Sequence, residues 1–196
     1  MAVLKQQIVL ASSSIYRRDL LRKLEIKFSR YSPDIDETPL LDELPEAMVL
    51  RLAEKKAQAV AEKYSNALVI ASDQAAVVDG QILGKPGNYE KALEQLLLVS
   101  GKSVVFHTSL CLFNSATGHI QSVVEPFTVH FRSLTTDQIG NYLRRDKPYN
   151  CAGAFKSEGF GVVLFEKMEG DDPNALIGLP LIRLRQMLER EGIYLV

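Results

Sequence analysis

The sequence predicts a mixed β-sheet with helices packed on it, an α/β or α+β arrangement. Three observations carry this. Two short apolar runs of the buried-strand kind, Gln7 to Ser12 (QIVLAS) and Ala67 to Ser72 (ALVIAS), each stop abruptly at polar residues. Amphipathic helical stretches alternate with them. Hairpin signals at Asp79-Gly80 and Thr117-Gly118 join further strands.

In chain order, Gln7 to Ser12 reads as a strand and turn, and Ser14 as an N-cap with Leu20, Leu21 and Leu24 as the apolar stripe behind it. Lys27 to Ser32 is a weaker strand. Pro33 to Pro45 is acidic and proline-bearing, hence a loop. Glu46 to Tyr64 gives the strongest helical signal: Val49, Leu52, Ala53, Ala57, Val60 and Tyr64 share one face, and Arg51, Glu54, Lys55, Gln58 and Glu62 the wet one. Ala67 to Ser72 is the second buried strand, and Ala75 to Leu83 a hairpin. Asn88 to Val99 is a helix stopped by Ser100-Gly101. Ser103 to Phe113 and Gln121 to Phe131 are long strands, and Thr135 to Arg145 a helix. Cys151 to Gly161 is a glycine-rich loop, Phe160 to Phe165 a strand, and Leu179 to Arg190 a last helix opened by Gly178-Leu179-Pro180.

At 196 residues the chain is expected to form one domain, with room for two lobes around a cleft. An apolar fraction of 46% with 24% charged residues suits a globular protein with a sizeable core. A net charge of -1 argues against a protein that coats nucleic acid or an anionic membrane. Cys111 and Cys151 show neither CxxC nor Cys/His ligand spacing, so a reducing cytoplasm is expected. Met1 to Leu10 lacks a long apolar core and cleavage site, so no signal peptide is read. No stretch approaches the ~18 apolar residues of a membrane span.

Six clusters could carry chemistry. Ser12-Ser13-Ser14 leads from a strand into a helix, whose free N–H groups favour an anion. Arg17 extends the inward stripe with Leu21 and Leu24, whereas Arg18 lies with Arg22 on the wet side. A capped helix with two solvated arginines is the competing reading. Asp34, Asp36 and Glu37 could hold a hard cation or form a solvated acidic loop. Lys56 lies on the apolar face of its helix, where it needs a partner or must snorkel. Ser72-Asp73-Gln74 ends a buried strand, where α/β sheets collect ligands, and could equally be a plain turn. Lys85 is framed by Gly84 and Pro86. Gly153 to Gly161 brings glycines, Lys156 and Glu158 into one segment, a ligand loop or simply a flexible one. His107, His119 and His130 lack metal-ligand spacing.

Taken together, LASSSIYRRDLL, DIDETP, RLAEKKA, IASDQ, GKP, CAGAFKSEGFG and GLPL, in that order, resemble the Maf family of nucleotide pyrophosphatases over nearly the whole chain. The resemblance implies an α/β fold: an elongated mixed sheet with flanking helices and two lobes around a cleft, similar to inosine-triphosphate pyrophosphatases. It implies a single domain over 1–196. It also implies hydrolysis of a nucleoside triphosphate between the α and β phosphates with a divalent metal cation, Mg or Mn. Asp73 matches the catalytic carboxylate, Glu37 with Asp73 the metal-linked acids, and Ser12, Arg17, Lys56, Lys85 and Lys156 the phosphate contacts.

Three positions, Tyr16, Gln74 and Glu158, report base preference. Gln74 and Glu158 resemble the branch that cleaves 7-methyl-GTP, as do SDQ, EPF, VHFR and DPN. Methylation at N7 puts a positive charge on guanine, which an aromatic face and a carboxylate both favour. Tyr16 stands where this branch is expected to carry Trp, and offers a smaller face. Relatives often carry Glu at the position of Lys55, which lies on the wet face. The implied role is removal of a modified nucleotide before it enters RNA, by a cytoplasmic protein with no nucleic acid or membrane partner; analogy alone suggests a homodimer, and the sequence leaves the oligomeric state open. The alternatives are a dTTP/UTP pyrophosphatase of the same family, or a nucleotide-binding regulator of septum formation.

Overall fold

The computed structural model describes residues 6–196; the reading of the first five residues as free of a targeting signal lies outside them. The chain divides into two compact units that interleave along the sequence. The first comprises residues up to Gln74, Thr108–Glu125 and Gly178–Val196; the second comprises Ala75–His107 and Pro126–Ile177.

In the first unit, β1 (Gln7–Leu10) runs parallel to β2 (Ser29–Arg30) on one side and to β3 (Ala67–Ala71) on the other. β3 is buried at every residue, which explains why it shows a continuous apolar run rather than alternation. It pairs antiparallel with β6 (Ser103–Asn114), Ala71 lying opposite Cys111. The helix α1 (Ile15–Arg22) starts where the Ser14 hydroxyl accepts the Arg17 N–H. The long α2 (Pro45–Ala61) begins on a proline, whose missing N–H costs nothing in a first turn. Its Ala53, Ala57 and Val60 pack with Val9, Val69, Ala71 and Cys111 in one core.

The second unit opens at Ala75, inside β4 (Gln74–Val78), and continues into β5 (Gln81–Leu83), Val78 facing Gln81. Asp79 and Gly80 between them both take the left-handed conformation, at φ 48° and 77°, which matches the strand twist in a two-residue hairpin. The helix α3 (Tyr89–Val99) is capped by Asn88. β7 (His119–Phe131) follows the Thr117-Gly118 turn, and α4 (Thr136–Asp146) carries a capping box between Thr135 and Gln138. Four aromatic rings, Phe106, Phe131, Phe155 and Phe165, meet edge to face at the core of this unit, their centroids 4.9 to 5.5 Å apart.

The hydrogen-bonded strand order is β2-β1-β3-β6-β4-β5, with β7 on β6 and β8 (Phe165–Glu169) on β7. A mixed sheet with flanking helices is therefore what forms. The expected strand from Phe160 is a correction: Phe160–Leu164 coils into 3-10 turns, and the strand begins at Phe165. Gly161 allows this, because any side chain there would overlap the Lys156 carbonyl. A further short helix, α5 (Pro173–Ile177), follows Asp172, whose carboxylate accepts the Asn174 N–H. The last helix, α6 (Leu181–Arg190), starts two residues after the expected point. Among the described residues no helix is long and apolar enough to cross a membrane.

Candidate functional site

Because β1 and β3 run parallel with Leu10 opposite Ile70, their carboxyl ends open at the same edge of the first unit. That edge receives Ser12–Ser14 from one strand and Ser72–Asp73 from the other, the placement at which α/β sheets collect ligands. Ser12 is buried, and its hydroxyl accepts the Ser14 N–H at 3.1 Å. Arg17, in the first turn of α1, points inward as its register predicts. Its Nε donates to the Gly178 carbonyl at 2.9 Å, and the same carbonyl accepts from the Ser72 hydroxyl at 2.8 Å. Arg18 and Arg22 pair with Asp19 on the exposed side. Burial pushes the Arg17 guanidinium below its ordinary pKa, and the fields of Asp73 and Glu37 push back.

Lys56 resolves the anomaly of a lysine on an apolar helix face. Its ammonium lies 2.6 Å from Asp73 Oδ1 and 2.7 Å from Glu37 Oε1. The Lys56 and Asp73 side chains are only 10% and 15% exposed, whereas Glu37 is 59% exposed. Two carboxylates that are 36 residues apart in sequence thus reach one point, with a cation between them that removes their mutual repulsion. Tyr16 is half-buried on α1, and the Gln74 amide donates to the Thr108 hydroxyl at 2.8 Å.

The Asp73 backbone is clamped by Ser109, fully buried on β6. The Ser109 hydroxyl accepts the Asp73 N–H at 2.9 Å and donates to the Val49 carbonyl at 2.7 Å, while the Ser109 N–H donates to the Asp73 carbonyl at 2.9 Å. Sequence reading missed Thr108 and Ser109. Their signal is two adjacent hydroxyls that, with His107, interrupt the apolar run of a strand. Arg51, too, reads in the sequence only as a wet-face residue. Its guanidinium grips both Glu43 carboxylate oxygens at 2.5 Å and holds that carboxyl well below its usual range, at about 2.

Three of the candidate residues belong to the second unit. Lys156 is half-buried, and its ammonium donates to the Asp146 carbonyl at 2.6 Å, with the Asp146 carboxylate at 3.4 Å. Asp146 is tied in turn by the Tyr142 hydroxyl, which also accepts the Lys156 N–H. Burial pushes the Tyr142 hydroxyl above its ordinary pKa, and its bond to Asp146 adds to the effect. Glu158 is exposed two residues on, and Lys85 is exposed between Leu83 and the buried Pro86.

Among the described residues no group of three or more His, Cys, Asp or Glu side chains is placed to enclose a metal ion. Glu37 and Asp73 offer a two-carboxylate donor set. That suits a magnesium-class ion, which takes one or two carboxylates and completes its shell with substrate phosphates and water.

The family model for Maf-like protein matches residues 7–191. A curated relative from Nitrosococcus oceani, named 7-methyl-GTP pyrophosphatase, is 58% identical over 185 residues, covering 94% of this chain and 93% of its own length. Among solved structures, the Staphylococcus aureus Ham1 protein superposes with a TM-score of 0.56 at 15% identity, over 95% of this chain and 100% of that one. That likeness concerns the fold, and it bears out the expected mixed α/β class.

Proposed function

Because the chain belongs to the Maf family, and its Nitrosococcus relative carries that activity in its name, we propose that it is a nucleoside triphosphate pyrophosphatase that converts 7-methyl-GTP to 7-methyl-GMP and pyrophosphate. The observation that carries the reading is the Lys56 ammonium shared by Asp73 and Glu37, next to Arg17 at the strand ends. A pure phosphate binder gains nothing from two carboxylates beside its ligand. An enzyme that must activate water and tolerate a divalent cation needs both.

In this reading Asp73 takes the proton of the attacking water, fixed in position by Ser109. Arg17 aims its guanidinium from the Gly178 carbonyl towards phosphate oxygens. Ser12 and Lys56 add donors, and Lys85 and Lys156 are assigned phosphate contacts by the resemblance. Glu37 and Asp73 would hold the divalent cation, which supplies charge neutralisation on the phosphates. Tyr16, Gln74 and Glu158 read the base: the ring and the carboxylate favour a cationic purine, and Thr108 fixes the Gln74 amide. The cellular purpose is to clear a modified nucleotide from the cytoplasmic pool, and a homodimer is the oligomeric form to test.

The test is pyrophosphate release by the purified chain from 7-methyl-GTP, GTP, UTP and dTTP, with magnesium and with a chelator. The expected result is magnesium-dependent turnover with 7-methyl-GTP preferred, and a loss of about 100-fold or more in Asp73→Asn with an unchanged melting profile. Preference for UTP or dTTP would move the protein to the other branch. Binding without turnover of any of the four would leave it a nucleotide-binding regulator.

A further inference from the structure

The segment 31–44 that carries Glu37 forms neither helix nor strand, yet it delivers Glu37 to Lys56. With Glu37 mostly exposed, that ion pair is a weak tether against the conformational freedom of a segment with neither helix nor strand. Something else must place the carboxylate. We propose that Arg51, paired with Glu43, is a positioning residue that sets Glu37 at Lys56 and Asp73.

The geometry is a clip closed on both sides of Pro39. Arg51 Nε and one terminal nitrogen take the two Glu43 oxygens as a planar fork, both at 2.5 Å. The same terminal nitrogen donates to the Thr38 carbonyl at 3.3 Å, and Glu43 Oε2 accepts the Leu40 N–H at 3.0 Å. The Thr38 N–H is bound in turn by the Asp36 carboxylate at 2.9 Å. Glu37 therefore sits between Asp36, whose carboxylate holds the next turn of chain, and Thr38, whose N–H and carbonyl are both bound. The side chains of Arg51 and Glu43 are 18% and 7% exposed, so this pair is packed rather than waving in solvent. Arg51 and Lys56 stand on the same helix, so α2 fixes both the anchor of the loop and the partner of Glu37. With its fork spent on Glu43 and Thr38, Arg51 acts through the segment and not on substrate. A lysine could keep the charge but not the two-pronged grip.

The inference rests on the reading of Glu37 as a working carboxylate, so the test separates the two. Arg51→Ala, Glu43→Ala, Arg51→Lys and the exchanged pair Arg51→Glu/Glu43→Arg are made in the wild-type and Glu37→Gln backgrounds. Turnover, the magnesium concentration for half-activation, melting temperature and chymotryptic cleavage after Leu40 and Leu41 are measured. Arg51→Ala is expected to lose about 10–100-fold in kcat, to raise the magnesium requirement and to open the segment to cleavage in substrate-free protein. Arg51→Lys should fall between Arg51→Ala and wild type, and the exchanged pair should regain most of the loss. In Glu37→Gln, Arg51→Ala should lower turnover no further. Losses that multiply, or cleavage that stays at the wild-type rate, would overturn the positioning role. Full turnover in Glu37→Gln alone would instead remove Glu37 from the reaction. A loss there beside wild-type turnover in Arg51→Ala would sink this inference and leave the functional reading standing.

Discussion

Ser109→Ala offers a direct measure of how Asp73, the proposed proton acceptor, is held. The serine hydroxyl accepts the Asp73 N–H at 2.9 Å and donates to the Val49 carbonyl at 2.7 Å, with no exposure to solvent. Deleting it leaves the Asp73 N–H without its acceptor, a loss of about 1–3 kcal/mol for a buried group. Asp73 is partly exposed, which puts the value in the lower half, about 1–2 kcal/mol. For a chain of this size that lowers the melting temperature by about 3–6 °C. The same loss of alignment at the carboxylate lowers kcat by about tenfold, since about 1.4 kcal/mol is a factor of ten in rate. The structure supplies its own control. At the other end of β3, Ser115 makes the same exchange with Ala67: its hydroxyl accepts the Ala67 N–H at 2.8 Å and its N–H donates to the Ala67 carbonyl at 2.9 Å. Ser115→Ala should cost comparable stability and leave kcat untouched. Thermal melting followed by circular dichroism and steady-state kinetics on both variants decide the matter. Equal kcat in the two, or a melting temperature for Ser109→Ala within 1 °C of wild type, would refute the argument that this hydroxyl positions Asp73.

Gly161→Ala forces a Cβ onto the Lys156 carbonyl oxygen, whereas a Cβ at Gly159 would meet nothing nearer than 3.9 Å. Denaturant unfolding should show the first costing about 1–3 kcal/mol and the second less than about 0.5 kcal/mol. Burial pushes the Glu191 carboxyl up, but bonds from Asn114, His119 and Gln121 outweigh it and leave its pKa below the ordinary value. A depressed carboxylate stabilises the fold above its unfolded pKa of 4.5 and loses that contribution as pH falls through the folded value. The stability gap between wild type and Glu191→Gln should therefore be flat above about pH 5 and close on acidification; a gap that widens towards acid would reverse the assignment. Burial also pushes the Cys111 thiol up to about 12, so a thiol-specific reagent at pH 8 should label no more than Cys151 in native protein and both cysteines after unfolding.

Much of this was readable before any coordinates. QIVLAS and ALVIAS show as strands because both are covered on two faces, and their polar stops mark the carboxyl ends where Ser12 and Asp73 sit. Asp79-Gly80 shows as a hairpin because two left-handed residues in succession suit few other turns. Helical phase separates Arg17 from Arg18, and Lys56 stands out as a charge where the pattern demands an apolar residue. What stayed hidden depends on contacts between distant segments. Ser109 acts on a residue 36 positions away, and Arg51 looks like any solvated arginine until the loop before its helix folds back onto it. Phe160–Leu164, which forms 3-10 turns, reads as a strand in the sequence because an apolar run of five residues has no period to separate the two.

The charges of the first unit set a condition on how the site can work. Arg17 and Lys56 balance Glu37 and Asp73, so this cluster presents no net attraction to a triphosphate. Each carboxylate beside a phosphate adds repulsion, and at short range inside a partly buried site that repulsion is far less screened than in water. An enzyme built to bind phosphate would therefore discard both acids unless their charge is taken up when substrate arrives. The ammonium of Lys56 does this in the substrate-free protein, holding two acids at one point that like charges would otherwise leave. In the proposed reaction a divalent cation held by Glu37 and Asp73 would meet the same need, since it would bring two positive charges to oxygens gathered at one point. The chain's near-neutral total is consistent with this logic: with no bulk positive field to draw a nucleotide in, affinity has to come from a few cations placed at one strand edge, and selectivity from the residues beside them.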